Sequence, residues 1–285
     1  MADKNSLNGD DSACLGKLRR LMPEWIQTAN AVRGFLVEKE MKFLAMAAAC
    51  PTAAGVILEV GSFMGKSTTI LALASQLAPG TQIVAVDPLI LRIPGNKDSW
   101  LAEFKANLRN AKVEHLVEFH RMPSQQLGPL WNRDRKIRLL WIDANHSYEG
   151  VKGDFDLFFP FLADGAIVAL HDCFRHEIGP MRVFAEDMLL SKNFGAAGAC
   201  GSIGWAQFRA DPKDCTPSVK AKLQLYKRIT RLIAYVYPHP PGCGIHGVGY
   251  KLIRSRIPHG EIDPADWLGQ VALCGGQRGK QENLI

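Results

Sequence analysis

From Val56 onward the apolar residues fall alternately into short continuous runs and into stretches at helical spacing. Val56, Ile57, Leu58 and Val60 form one run, broken only by Glu59, as in a strand buried on both faces of a parallel sheet. Ile70, Leu71, Leu73, Ala74 and Leu77 follow at helical spacing, which predicts a strand over 56–60 and a helix over 67–78, with Gly61 and Gly65 on the turn between. The alternation continues with a strand at Gln82–Asp87, a helix at Ser99–Asn110 and strands at Val117–His120 and Ile137–Asp143. A helix over Tyr148–Leu162, a turn at Ala163-Asp164-Gly165, a strand at Ala166–Leu170 and a helix over Ile178–Leu190 come next. Two weaker strands, near 194–199 and 202–208, are expected to close the sheet as an antiparallel pair. This order predicts an α/β fold with a doubly wound, Rossmann-like, mostly parallel sheet. Ligands of such sheets bind outside the carboxyl ends of the strands.

The flanks follow other patterns. Leu15–Ala49 reads as helical, divided at Pro23 and Gly34, so residues 1–52 are expected to form a helical lead-in or lid before a ligand-binding domain over 53–210. Residues 211–285 form a C-terminal extension with an amphipathic helix at 219–237. Its expected apolar stripe is Val219, Leu223, Tyr226, Ile233 and Tyr237, with Lys220, Lys227, Arg228 and Arg231 on another face. A solvated basic face is the plain reading, and contact with an acidic substrate or a membrane surface is the sharper one. Pro238–Gly242 reads as a turn, and the residues after Cys274 as a frayed end.

Composition narrows the class. The 285 residues, 47% of them hydrophobic, suffice for one large domain with appendages. A net charge of +6 is moderate at this length and gives no reason to expect a nucleic-acid partner. No run reaches the length of a membrane span and residues 1–14 do not read as a signal peptide, so the expected location is cytoplasmic. The seven cysteines are scattered without a Cys-x-x-Cys pair and read as reduced thiols. Assembly into a homo-oligomer is left open.

The glycine turn carries the candidate chemistry. A phosphate-binding P-loop places four residues between Gly and Gly-Lys-Ser/Thr, whereas Gly61 and Gly65-Lys66-Ser67 enclose three. A dinucleotide fingerprint needs a glycine where Phe63 stands. Glu59-x-Gly61-x-x-x-Gly65, with Ser67 opening the helix, resembles the first motif of class I S-adenosylmethionine-dependent methyltransferases. A carboxylate there suits a ligand bearing an ammonium and a sulfonium and would repel phosphates. The stretches Trp141 to Asp154 and Leu162 to Asp172 resemble the branch of macrocin-type and other natural-product O-methyltransferases (methyltransferase family 24).

That resemblance implies a seven-stranded sheet and S-adenosyl-L-methionine as cofactor, bound by Glu59, Gly61, Ser62, Phe63, Gly65, Ser67, Asp87, Ser124, Gln125 and Asp143. Asp87 would accept the ribose hydroxyls and Ser124-Gln125 would meet the adenine end. It also implies a divalent metal, magnesium in several relatives, at Asp143 and Asp172 with His171 beside them. His171 departs from the acid or amide usual there, and imidazole suits manganese, iron or zinc better. His146, three residues after Asp143, is the expected base, and Asp143 shares the catalytic role. Trp141, Tyr148 and Phe63 are candidate aromatic walls. The implied reaction is O-methylation of a small hydroxylated substrate such as a sugar or secondary metabolite. A P-loop-like nucleotide hydrolase with a shortened loop, or a non-catalytic scaffold, are the rival readings.

Overall fold

A computed structural model describes residues 9–78, 80–90, 95–175, 178–237 and 245–272. The strands are β1 (Val56–Val60), β2 (Ile83–Val86), β3 (Val117–His120), β4 (Ile137–Ile142), β5 (Leu162–Leu170), β6 (Phe194–Cys200) and β7 (Ile203–Phe208). They form one seven-stranded sheet in the order β3-β2-β1-β4-β5-β7-β6. All pairings are parallel except β5–β7 and β6–β7, so the closing antiparallel pair is present. The strand order reverses between β1 and β4. In open sheets of this kind the binding crevice lies at such a switch point, at the carboxyl ends of the strands.

Side chains alternate across the strands and feed two apolar layers. Ile57, Leu139, Trp141 and Ile167 face one layer, and Leu58, Leu140, Ile142 and Val168 face the other. The first layer is covered by α1 (Gly9–Asn30), α2 (Glu38–Ala49), α3 (Lys66–Ser75) and α4 (Lys97–Asn110). The second is covered by α5 (Ser124–Leu127), α6 (Tyr148–Phe158), α7 (Ile178–Arg182, continued as a π-helix over Val183–Leu189), α8 (Val219–Val236) and α9 (Ile245–Arg254). The last helix, α10 (Pro264–Ala272), returns to the first layer, where Trp267 packs edge-on against Trp205. Asn96 caps α4 by accepting from the Asp98 and Ser99 N–H groups.

Several expectations are corrected. Pro23 lies inside α1 and does not divide it, because the turns on either side both bury residues, Leu15 and Leu18 before it and Trp25, Ile26 and Ala29 after it. The break falls at Gly34 alone. Pro160, which has no N–H to donate, ends α6 at Phe158 in a short 3-10 turn. The expected turn at Ala163–Gly165 runs within β5 instead, where Gly165 has a φ of 87° and leaves no room for a Cβ beside the Thr52 carbonyl. The stripe that α8 buries is Leu225, Ile229, Leu232 and Val236; Val219, Leu223 and Tyr237 are exposed. The Pro238–Gly242 turn and the residues after Cys274 lie outside the described residues. No described helix is long and apolar enough to cross a membrane.

Candidate active site

The glycine turn leaves β1 as a tight loop whose backbone donors are already engaged. Asp87, just past β2, accepts from Ser62 N (2.8 Å) and Phe63 N (2.9 Å) with one oxygen and from Leu89 N (2.7 Å) with the other. Gly65 N bonds to Ser62 O at 2.8 Å. A phosphate cradle would need those N–H groups turned toward the ligand. The three donors spent within the loop weigh against the shortened-P-loop reading. Gly61 has a φ of 91°, and a Cβ on it would strike the Asp143 carbonyl, so the β1 and β4 loops meet backbone to backbone. Gly65 has a φ of 86° and precedes α3, with Phe104 against it.

Glu59 is fully buried on the α3 side of β1. Its Oε2 accepts from Thr68 Oγ1 at 2.5 Å, while Oε1 and the nearby Ser62 Oγ have no hydrogen-bond partner among the described residues. Burial pushes the Glu59 carboxyl up to about 7; the Ser67, Thr68 and Ser62 hydroxyls oppose the rise and the Asp143 charge adds to it. The folded protein therefore holds a proton that the unfolded chain has released between pH 4.5 and about 7. Stability must fall as pH rises through that window, by up to about 3 kcal/mol. Glu59→Gln should raise the melting temperature of the ligand-free protein at pH 8, with the gain vanishing below pH 4.5. Melting curves at the two extremes check this, and equal gains at both would refute it.

Ser124 opens α5 and is hydrogen-bonded to the buried Asp154, which also faces Gln125 Nε2 at 3.4 Å. Burial raises the Asp154 carboxyl, opposed by Ser124. Phe63 stacks on Phe35 of the α1–α2 loop with ring centroids 5.7 Å apart, and Arg33 lies 5.8 Å from its centroid. Trp141 is wholly buried and edge-on to His171, so it is core and not a wall; Tyr148 lies under the Arg182 guanidinium at 3.9 Å.

At the ends of β4 and β5 the structure brings Asp143, His146, His171 and Asp172 together. His146 Nε2 stands 3.6 Å from Asp143 and 3.7 Å from Asp172. The following helix, α6, is capped by Ser147, whose Oγ accepts from Gly150 N. His171 is buried, with Nδ1 3.1 Å from Asp143 Oδ1 and 3.4 Å from Asp172 Oδ1. Asp172 sits at a φ of 55°, a conformation uncommon outside glycine. Arg175 Nε holds its Oδ1 at 2.9 Å.

Three members of this cluster were not legible in the sequence: Glu40, Ser202 and Arg175. Glu40, 1% exposed, reaches from α2 to accept from Ser202 N (2.7 Å), Ser202 Oγ (2.8 Å) and Val37 N (3.0 Å), and its Oε2 faces His171 Nε2 at 3.4 Å. Burial works against the Glu40 charge, but His171 and the N–H donors outweigh it and hold the carboxyl down at about 2. Burial likewise opposes charge on His171, yet Asp143, Glu40 and Asp172 raise it to about 10. Asp143, about a quarter exposed, is held well below the usual carboxylate range by His171 and His146 against the cost of burial. The one sequence signal for Glu40 was an acid three residues after Val37 at a helix start.

These side chains do not suit magnesium. An imidazolium already lies between the two aspartates and a guanidinium covers Asp172, where magnesium would require hard oxygen donors. Among the described residues no group of three or more His, Cys, Asp or Glu is arranged to hold a metal. Cys14, Cys173 and Cys200 are not in disulfides.

Residues 58–173 match a family model described as a methyltransferase domain. The chain is 26% identical over 117 residues to the uncharacterized protein R132 of Acanthamoeba polyphaga mimivirus, a match covering 40% of this chain and 50% of that protein. It thus spans about half the length of the curated relative it matches. Cofactor-bound Rv0187 from MTB is similar in structure, at 18% identity and a TM-score of 0.52, over 68% of this chain and 91% of that one. A candidate O-methyltransferase from Klebsiella pneumoniae is similar at 17% identity and a TM-score of 0.52, over 72% and 92% of the two chains. At these identities the structural likeness is one of fold. The match runs from within β1 to just past β5, and the seven-stranded sheet that carries it is that of the class I methyltransferase fold.

Proposed function

We propose that the chain is an S-adenosylmethionine-dependent methyltransferase acting on a hydroxyl of a small molecule such as a sugar or secondary metabolite. The observation that carries the cofactor reading is the buried Glu59 carboxylate with an unpartnered oxygen beside the unpartnered Ser62 hydroxyl, at the switch point of the sheet. A buried acceptor without a partner costs roughly 1–3 kcal/mol. An ammonium donor would satisfy it and an anion would not. The residues fit the cofactor in the order the strands present them: Glu59 at its cationic end, Asp87 at the ribose, Ser124 and Gln125 at the adenine. Gly61, Phe63, Gly65 and Ser67 shape the loop between.

When bound, S-adenosylmethionine supplies a methyl group activated by its sulfonium. The protein's part is alignment of the acceptor oxygen with that methyl, and removal of the acceptor proton. His146, about a third exposed at the mouth of the carboxylate cluster, takes the proton on its imidazole as the new C–O bond forms and the S–C bond breaks, leaving S-adenosylhomocysteine neutral at sulfur. Asp143 and Asp172 face its buried Nε2 and stabilise the imidazolium produced. No step is assigned to a metal.

Calorimetry with S-adenosylhomocysteine and with ATP tests the cofactor reading. Binding of the homocysteine analogue without ATP binding is expected, and the reverse would overturn it. With an acceptor found in pools of hydroxylated compounds, His146→Ala should lower turnover by roughly a hundredfold while retaining S-adenosylhomocysteine binding. Full turnover in His146→Ala would remove it as the base.

A further inference from the structure

Residues 215–260 contain no Asp or Glu, yet carry Lys220, Lys222, Lys227, Arg228, Arg231, Lys251, Arg254 and Arg256. Those eight positive charges exceed the net charge of the whole chain, +6. Lys222 is spent internally, buried with its ammonium on the Ser191 and Phe194 carbonyls. Lys220, Lys227, Arg228, Arg231, Lys251 and Arg256 are exposed, and none of the six forms an ion pair among the described residues. Between them stand exposed apolar side chains: Leu223 and Tyr237 at the outer side of α8, and Val248 and Leu252 on α9, one turn apart and 67% and 58% exposed. The inner face of α8 is already buried against the domain, and Gly249 of α9 lies against Tyr235 of α8. The outer face of this hairpin is therefore basic and studded with aliphatic groups.

We propose that the α8–α9 hairpin docks the protein on an anionic membrane surface, its cations meeting lipid phosphates and Leu223, Val248 and Leu252 entering the headgroup boundary. Charge complementarity selects the sign of the partner and the aliphatic groups select its kind. Nucleic-acid surfaces interleave cations with stacking aromatics, for which Val and Leu are no substitute; the boundary between headgroups and acyl chains takes both Val and Leu. Exposed Tyr237 suits the same depth. Each cation near such a surface contributes about 1 kcal/mol, screened within a Debye length of ~8–10 Å at moderate salt.

The hairpin is also tied to the acceptor side of the site. Tyr250 Oη of α9 donates to the Phe174 carbonyl at 2.6 Å, two residues beyond Asp172. With α9 as spacer, docking holds the loop carrying His171 and Asp172 about one helix diameter, ~10 Å, from the lipid. An acceptor hydroxyl borne on a membrane-held molecule would then be within reach. The docking itself stands whether or not the methyl-transfer reading does.

Flotation of the full chain with vesicles of phosphatidylcholine alone, or of phosphatidylcholine with phosphatidylglycerol, tests the proposal. Association is expected only with the anionic vesicles at low salt, falling steeply as salt rises. The triple variant Lys220→Glu, Lys227→Glu, Arg231→Glu should lose at least about tenfold in partitioning while melting and binding S-adenosylhomocysteine as the parent does. Absence of flotation with anionic vesicles, or flotation unaltered in the triple variant, overturns the proposal. Retention of an RNA homopolymer without vesicle binding overturns it as well.

Discussion

Glu40→Ala is expected to destabilise the protein by about 3–5 kcal/mol, the cost of stripping a buried ion pair of one partner. His171 is 2% exposed and would lose the acid facing Nε2, while the Ser202 N–H, also buried, would lose its acceptor. For a chain of this size that corresponds to a fall in melting temperature of roughly 10 °C. Glu40→Gln should fall between the two, because an amide oxygen still accepts from Ser202 but carries no charge for His171. The pH dependence has a defined sign. Glu40 is depressed from 4.5 to about 2, so its contribution is complete above pH 4.5 and is lost as pH drops toward 2. His171 is raised from 6.5 to about 10, so its contribution is complete below pH 6.5 and is lost as pH climbs toward 10. The Glu40→Ala deficit should accordingly be largest between pH 4.5 and 6.5. A melting temperature within a degree or two of the parent at pH 6 would show the cluster to be energetically idle.

Asp87→Ala should abolish S-adenosylhomocysteine binding over the range calorimetry reaches, a loss of at least about a hundredfold, or roughly 3 kcal/mol. Two effects combine. One is loss of the carboxylate proposed to receive the ribose hydroxyls. The other is release of the Ser62, Phe63 and Leu89 N–H groups, which lets the glycine loop relax from the shape it holds around the ligand. Asp87→Asn separates them in part: the amide oxygen can keep the Ser62 and Phe63 donors while its NH2 faces the Leu89 N–H, so the melting temperature should fall by less than in Asp87→Ala while affinity falls by roughly tenfold. If Asp87→Ala binds the ligand normally, both the ribose role and the loop role are wrong.

The sheet was readable because most strands are short, mainly apolar runs while α4, α6 and α8 each bury one side, so period separates them. Glu59 and Asp87 were readable for a related reason, being polar residues at places where the pattern demands apolar ones. What escaped was set by distance in the chain. Nothing near Glu40 announces that Ser202 and His171, 162 and 131 residues away, will close over it. The magnesium expectation rested on acids at two strand ends; His171 beside them was in view, but not that it would lie charged between the aspartates or that Arg175 would fold back onto Asp172. The stripe of α8 was misplaced because its true inner face includes Lys222, whose ammonium is neutral to burial only once the Ser191 and Phe194 carbonyls are in place.

The reach of Glu40 to Ser202 also bears on how the chain is made. At a synthesis rate of about 5–20 residues per second, roughly 10–30 s separate the emergence of α2 from that of Ser202, in the turn before β7. Throughout that interval the run Met41–Ala49, entirely buried in the finished protein apart from the stem of Lys42, has no sheet edge to lie on beyond the first strands. The prediction is that slowing translation after β5 lowers the soluble yield of this protein more than slowing it after β7.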